Sequence, residues 1–197
     1  MENSPSAIGP AAWLNGCLCF ELNKLELAED SYRVMFQSRA LWNYLAGFGS
    51  GIGKARICQI QGEFDEAQRL IDEIQAETLR LKHDEYLEIL AVFQAYQWHQ
   101  LEDFGASYRW ATQYQPNLKK DPILIFEPPG HWWARIMLDL GTEAEKTAVL
   151  TYLQTNLAIL QSTQFNQRKI QLLAQIAAAQ VVLGDESSAR ESLRTAV

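Results

Sequence analysis

Gly62-Glu63-Phe64-Asp65-Glu66-Ala67 reads as a chain reversal between two helices. Gly62 has no Cβ and can end the preceding helix in the left-handed region. Two positions on, Phe64 begins an apolar stripe, and Ala67 leaves room for a neighbouring helix. The frame recurs. Asn23, Leu25 and Ala28 occupy it upstream, and Glu102, Phe104 and Ser107 downstream. Gly184, Asp185 and Ala189 repeat it without the apolar second residue. The copy at Gly141 is imperfect: Lys146 stands at the small-residue position, and Ala148 fits only with two residues inserted.

The anchors at 23, 62, 102, 141 and 184 are 39, 40, 39 and 43 residues apart. Seven residues before them lie Gly16, Ala55, Ala95, Ala134 and Ala177. A small residue there lets helices approach closely, and a fixed period of this length marks stacked helical units. Between anchors the apolar spacing is helical: Leu87, Leu90, Ala91, Gln94, Trp98 and Leu101 keep the three-and-four rhythm with one polar exception, and Ile170, Leu173, Ala174, Ala177, Val181 and Gly184 trace one face. No alternating run calls for a strand. The expected fold is all-α, a right-handed α-solenoid of about five tetratricopeptide-like helix pairs over residues 10–197, preceded by a flexible tail at 1–9. Pro116, Pro122, Pro128 and Pro129 interrupt the segment 115–130. It is read as the link between the third and fourth pairs, with Ile123-Leu124-Ile125-Phe126 packed across the array.

A chain of 197 residues that is 48% hydrophobic can bury a core. Its formal net charge of −7 leaves no basic surplus for phosphates, so direct nucleic-acid binding is not expected. Cys17, Cys19 and Cys58 are odd in number, which suits a reduced, cytoplasmic protein better than a disulfide framework. The first residues lack a positive segment, and Glu21 and Lys24 interrupt the apolar stretch after Pro10. Neither a signal peptide nor a membrane span is expected.

Catalytic signals are missing too. Phe48-Gly49-Ser50-Gly51-Ile52-Gly53-Lys54 approaches a phosphate-binding loop, but Phe48 replaces a required Gly and Ala55 a required Ser or Thr. Cys17 and Cys19 are too close in sequence for a tetrahedral zinc site, and His83, His99 and His131 fall on different repeats. No nucleophile–base pair is evident. The chain is read as a non-enzyme without metal or cofactor.

Binding candidates come from projecting the repeat onto a concave groove. Residues ten, six and three before each anchor share one helix face. They are Trp13, Cys17 and Phe20; Ile52, Arg56 and Gln59; Val92, Tyr96 and His99; His131, Arg135 and Leu138; Ala174, Ala178 and Val181. Arg56, Gln59, Tyr96, His99, His131 and Arg135 form the predicted ligand-binding set. Arginine, histidine and tyrosine together suit a carboxylate, a phosphate or sugar hydroxyls. The alternative is that each is a solvated or interhelical polar group.

The stretch Gly62 to Ala67, Trp110 after Glu102-Asp103-Phe104, the proline-rich link, Ala134 to Gly141, and Leu183-Gly184-Asp185 to Ala189 resemble one family. Ile8 to Trp13 and Asn23 to Ala28 fit it as well. The family is the helical-repeat sensor domain of MalT-like, LuxR-family ATP-dependent transcriptional regulators. The resemblance implies a module between a nucleotide-binding switch and a helix-turn-helix domain, one that takes up a small effector and helps control self-association. It further implies that the chain is a fragment of a longer regulator or a shortened stand-alone relative. The expected function is recognition of a small effector or a protein segment in the groove. The competing expectation is an oligomerisation or adaptor protein without a ligand. A homo-oligomer is expected through the C-terminal pair, where Ile170, Leu173, Ile176, Val181 and Val182 are read as an apolar face in need of cover.

Overall fold

The computed structural model describes residues 5–37, 44–116, 128–161 and 166–196. They form ten α-helices and no strand: α1 (Pro5–Glu21), α2 (Leu25–Gln37), α3 (Tyr44–Gln61), α4 (Phe64–Leu81), α5 (Leu87–Gln100), α6 (Phe104–Gln113), α7 (Pro129–Leu140), α8 (Glu143–Leu160), α9 (Asn166–Val182) and α10 (Glu186–Ala196). A short 3-10 turn, Asp84–Tyr86, leads into α5. Among the described residues no helix is long and apolar enough to cross a membrane.

The expected reversals fall between helices at all five anchors. Asn23, Gly62, Glu102 and Gly184 adopt positive φ of 55°, 79°, 61° and 84°. At each, two backbone bonds close the helix end. The first runs from the left-handed residue to a carbonyl three back, the second from its successor to one five back: Gly62 N–H reaches Gln59 O at 3.3 Å and Glu63 N–H reaches Cys58 O at 2.8 Å. The next bond starts the following helix. Ala28, Ala67, Ser107 and Ala189 donate to the carbonyls of Lys24, Glu63, Asp103 and Asp185 at 3.0–3.1 Å. These four small residues are buried, as are Ala55, Ala95, Ala134 and Ala177.

Gly141 differs. Its φ of −75° and ψ of 162° are extended, and its N–H bonds Met137 O alone. Thr142 and Glu145 form a capping box that starts α8 directly, so no left-handed residue is required. Glycine is still needed there, because a Cβ would lie 2.5 Å from Met137 O. A further left-handed cap, at Lys82 with φ 58°, escaped the sequence reading since lysine is not a turn residue.

Two boundaries move. Helix α1 begins at Pro5, so residues 5–9 belong to it and not to a tail, and Pro10 lies inside it. A proline so near a helix start removes few helical bonds. In the proline-rich segment, α7 begins at Pro129 with Pro128 as its cap; Ile123 to Phe126 lie outside the described residues.

The chain divides into two compact units, with the break inside α5 after Gln97. In the first unit, α2 packs on both α1 and α3, and α3 on α4. Its cores are Phe48, Ile52, Leu70, Ile71, Ile74 and Phe93 on one side and Trp13, Tyr32, Met35 and Ile57 on the other. The phosphate-loop-like stretch 48–54 is helix throughout, with Phe48, Ser50 and Ile52 buried in it. In the second unit α7, α8, α9 and α10 pack in succession around Trp132, Ile136, Leu153, Leu172 and Ile176. There Leu173 and Ile176 are buried, contrary to the expected open C-terminal face, while Ile170, Val181 and Val182 stay about half exposed. The reason is that α10 folds back onto α9, contributing buried Ala189 and a bond from Ser192 to Gln180 at 2.8 Å.

Candidate functional site

In the first unit, α3 carries Arg56 and Gln59, and α5 carries Tyr96. Gln59 is buried at 4% exposure. Its Nε2 donates to Gln97 Oε1 at 3.0 Å and to Phe93 O at 3.4 Å. Gln97 Nε2 donates onward to Gln68 Oε1 at 3.1 Å and Phe64 O at 3.0 Å. Gln68 and Gln94 exchange amide bonds at 2.7 and 2.9 Å. Four glutamines thus link α3, α4 and α5. Gln59, expected on an open groove, is instead a packing amide, with an Oε1 that is buried and accepts no hydrogen bond.

This chain predicts a measurable coupling. Replacing Gln97 with Leu leaves Gln59 Nε2 only its long bond to Phe93 O, at a cost of about 1–3 kcal/mol. Gln59→Leu together with Gln97→Leu should cost at least about 0.5 kcal/mol less than the two single changes summed, since each change removes the group that the other leaves without its partner. Urea denaturation of the four proteins measures this; strict additivity would mean that the buried amide bond contributes nothing.

Arg56 is half-buried, its guanidinium 4.8 Å from the centre of the Phe20 ring, a cation–π contact joining α3 to α1. Nearby, the Tyr32 hydroxyl is hydrogen-bonded with the Cys17 thiol. Burial pushes both groups above their ordinary values, and Arg56 pulls Tyr32 partly back. Burial, aided by Glu63 and Glu66, raises the Cys58 thiol to about 11. A thiol so protonated is a poor nucleophile. Tyr96 is half-buried on α5.

In the second unit, His99 lies 2.9 Å from Asp139 Oδ2, and its ring meets Phe104 edge-on at 5.6 Å. His131 and Arg135 stand one turn apart on α7. Arg135 is exposed and its guanidinium sits 4.3 Å over the Trp132 ring. His131 is 1% exposed, a core residue and not part of an open lining. Burial, aided by repulsion from Arg168 and Arg135, lowers its pKa to about 3. Tyr108 donates to the Glu145 carboxylate at 3.2 Å. The Thr142 backbone N–H holds that carboxylate below the usual range.

Among the described residues no group of three His, Cys, Asp or Glu side chains could hold a metal ion. Asp139 and Arg168 were not singled out by the groove projection. The predicted period held a signal for the first: His99 and Asp139 are 40 residues apart, close to the expected spacing. Arg168 follows a stretch outside the described residues and lies off every anchor register. No family model, curated protein or solved structure matches the chain.

Proposed function

We propose that the chain is a binding and scaffold module, a right-handed α-solenoid of about five tetratricopeptide-like helix pairs. In this reading it serves in the cytoplasm as the effector-sensing or protein-interaction domain of a MalT-like transcriptional regulator. The supporting observation is the turn chemistry at Asn23, Gly62, Glu102 and Gly184, where the same two cap bonds are followed by the same helix-starting bond. Units so alike, each with one apolar face, bury that face by stacking, and stacks of helix pairs generate concave binding surfaces. Arg56 and Tyr96 in the first unit, and His99 and Arg135 in the second, are the polar positions offered for a ligand.

The test is thermal melting against oligosaccharides, sugar phosphates and dicarboxylates. A true ligand at about a hundred times its Kd adds about 2.7 kcal/mol of stability. Arg56→Ala should abolish a gain that arises from binding in the first unit, and Arg135→Ala one that arises in the second, each with at most a small change in the unliganded melt from loss of its ring contact. A gain retained in both variants would place the site elsewhere. No gain with any compound, together with a melt that shifts only with protein concentration, would favour the oligomerisation reading.

A further inference from the structure

The sequence directs attention to the C-terminal pair, yet the largest run of exposed apolar side chains lies on the first one. Leu14, Leu18 and Leu22 are 57%, 60% and 56% exposed, and Leu27 on α2 is 54% exposed. Leu14 and Leu18 lie on α1 and Leu22 in the turn just past its end, spaced four apart, so they form one stripe with about 6 Å between successive members. They lie opposite the face where Trp13, Gly16 and Cys19 are buried. Asn15 donates to Ser31 Oγ at 2.8 Å and ties α1 to α2 beside the stripe.

We infer that this face of α1 and α2 is where a second copy of the chain docks, with two α1 helices antiparallel about a two-fold axis beside Leu18. The leucine spacing is symmetric about Leu18, so Leu14 of one copy meets Leu22 of the other. An isologous interface demands such self-complementarity. Charge fits along α1. The protein carries −7 overall, but Glu21 is the only charged residue of that helix, whereas on α2 Glu26 and Asp30 flank Leu27. In the antiparallel register Glu21 falls opposite Asn15 of the other copy, not opposite another carboxylate. Area fits a modest dimer. At roughly 30 Å² per carbon, four half-exposed leucines supply about 300 Å² of apolar surface per copy. A standard interface takes about 800 Å² per partner, a little over half of it apolar. The four leucines together supply about two-thirds of that apolar share, and an interface at this small end of the range belongs with weak, concentration-dependent association.

Sedimentation velocity on the full chain, from about 1 to about 100 µM, tests the assignment. The unmodified protein should pass from monomer to dimer in that range. Leu18→Glu should weaken the dimer by at least about 100-fold, since two carboxylates would meet at the axis in place of two leucines. Leu193→Glu, an exposed position on α10, should dimerise as before. Should Leu18→Glu fail to fold, Leu14→Gln combined with Leu22→Gln gives the same reading. An unmodified protein that stays monomeric at the highest concentration overturns the inference. So does a dimer that survives Leu18→Glu or is lost only in Leu193→Glu. The inference does not depend on a ligand: a dimer sensitive to Leu18 stands even where no compound binds.

Discussion

Lowering the pH from about 7.5 to about 4.5 is expected to remove about 2–3 kcal/mol of folding stability through His131 alone. In the unfolded chain this imidazole takes a proton near 6.5, whereas in the fold it does so only near 3. The folded pKa is depressed, so between those values the unfolded state binds the proton and the folded state does not. The stabilising contribution is therefore full above about 6.5 and declines steadily as pH falls towards the folded value. At pH 4.5 about two units of the gap have been crossed, each worth about 1.4 kcal/mol. The cause is geometric: His131 is 1% exposed, and Arg168 and Arg135 both oppose its charging. His131→Gln keeps a polar side chain but cannot titrate. Urea denaturation at the two pH values should show this variant losing about 2–3 kcal/mol less than the unmodified protein. Other acidic groups affect both proteins alike and cancel in the difference. Equal losses would mean that His131 accepts its proton inside the fold.

Gly53→Ala is expected to destabilise the protein by about 2 kcal/mol, although alanine is the better helix former by about 1 kcal/mol. Two effects compete, and the surroundings decide between them. A Cβ at Gly53 would lie 2.4 Å from Tyr32 Cε2 and Cζ. The ring cannot retreat, because its other edge is held by α1: a Cβ at Gly16 would lie 2.5 Å from Tyr32 Cε1. Tyr32, on α2, is thus wedged between two glycine surfaces on α1 and α3. Gly16→Ala should be costly for the same reason. In a Tyr32→Leu background the clash disappears, and Gly53→Ala should become neutral or slightly stabilising. Thermal denaturation of the single and double variants measures the coupling. A stabilising Gly53→Ala in the unmodified background would show that the wedge yields at little cost.

The reversals at 23, 62, 102 and 184 were legible in the sequence because their cause is local. A left-handed residue, the two bonds around it and a small residue five positions on are set within a few residues of chain. Glu102 occupies the same geometry without glycine's freedom, and there the period, not the residue type, identified the turn. The imperfect copy at Gly141 also reported something physical: a different cap, made by Thr142 and Glu145. What helical spacing supplies is a direction around an axis. It does not say how far the neighbouring helices wrap, and that is where the candidate site departed from expectation. Gln59 and His131 point along the groove-facing register yet are covered by packing, while Arg56 and Arg135 extend past it to lie on Phe20 and Trp132. The partners Gln97 for Gln59 and Asp139 for His99 come from 38 and 40 residues away in the chain. Burial of a side chain depends on volume contributed by residues remote in the chain. The sequence by itself therefore determined the helical character and the turns at the anchors, whereas only tertiary packing decided which polar side chains remain at the surface.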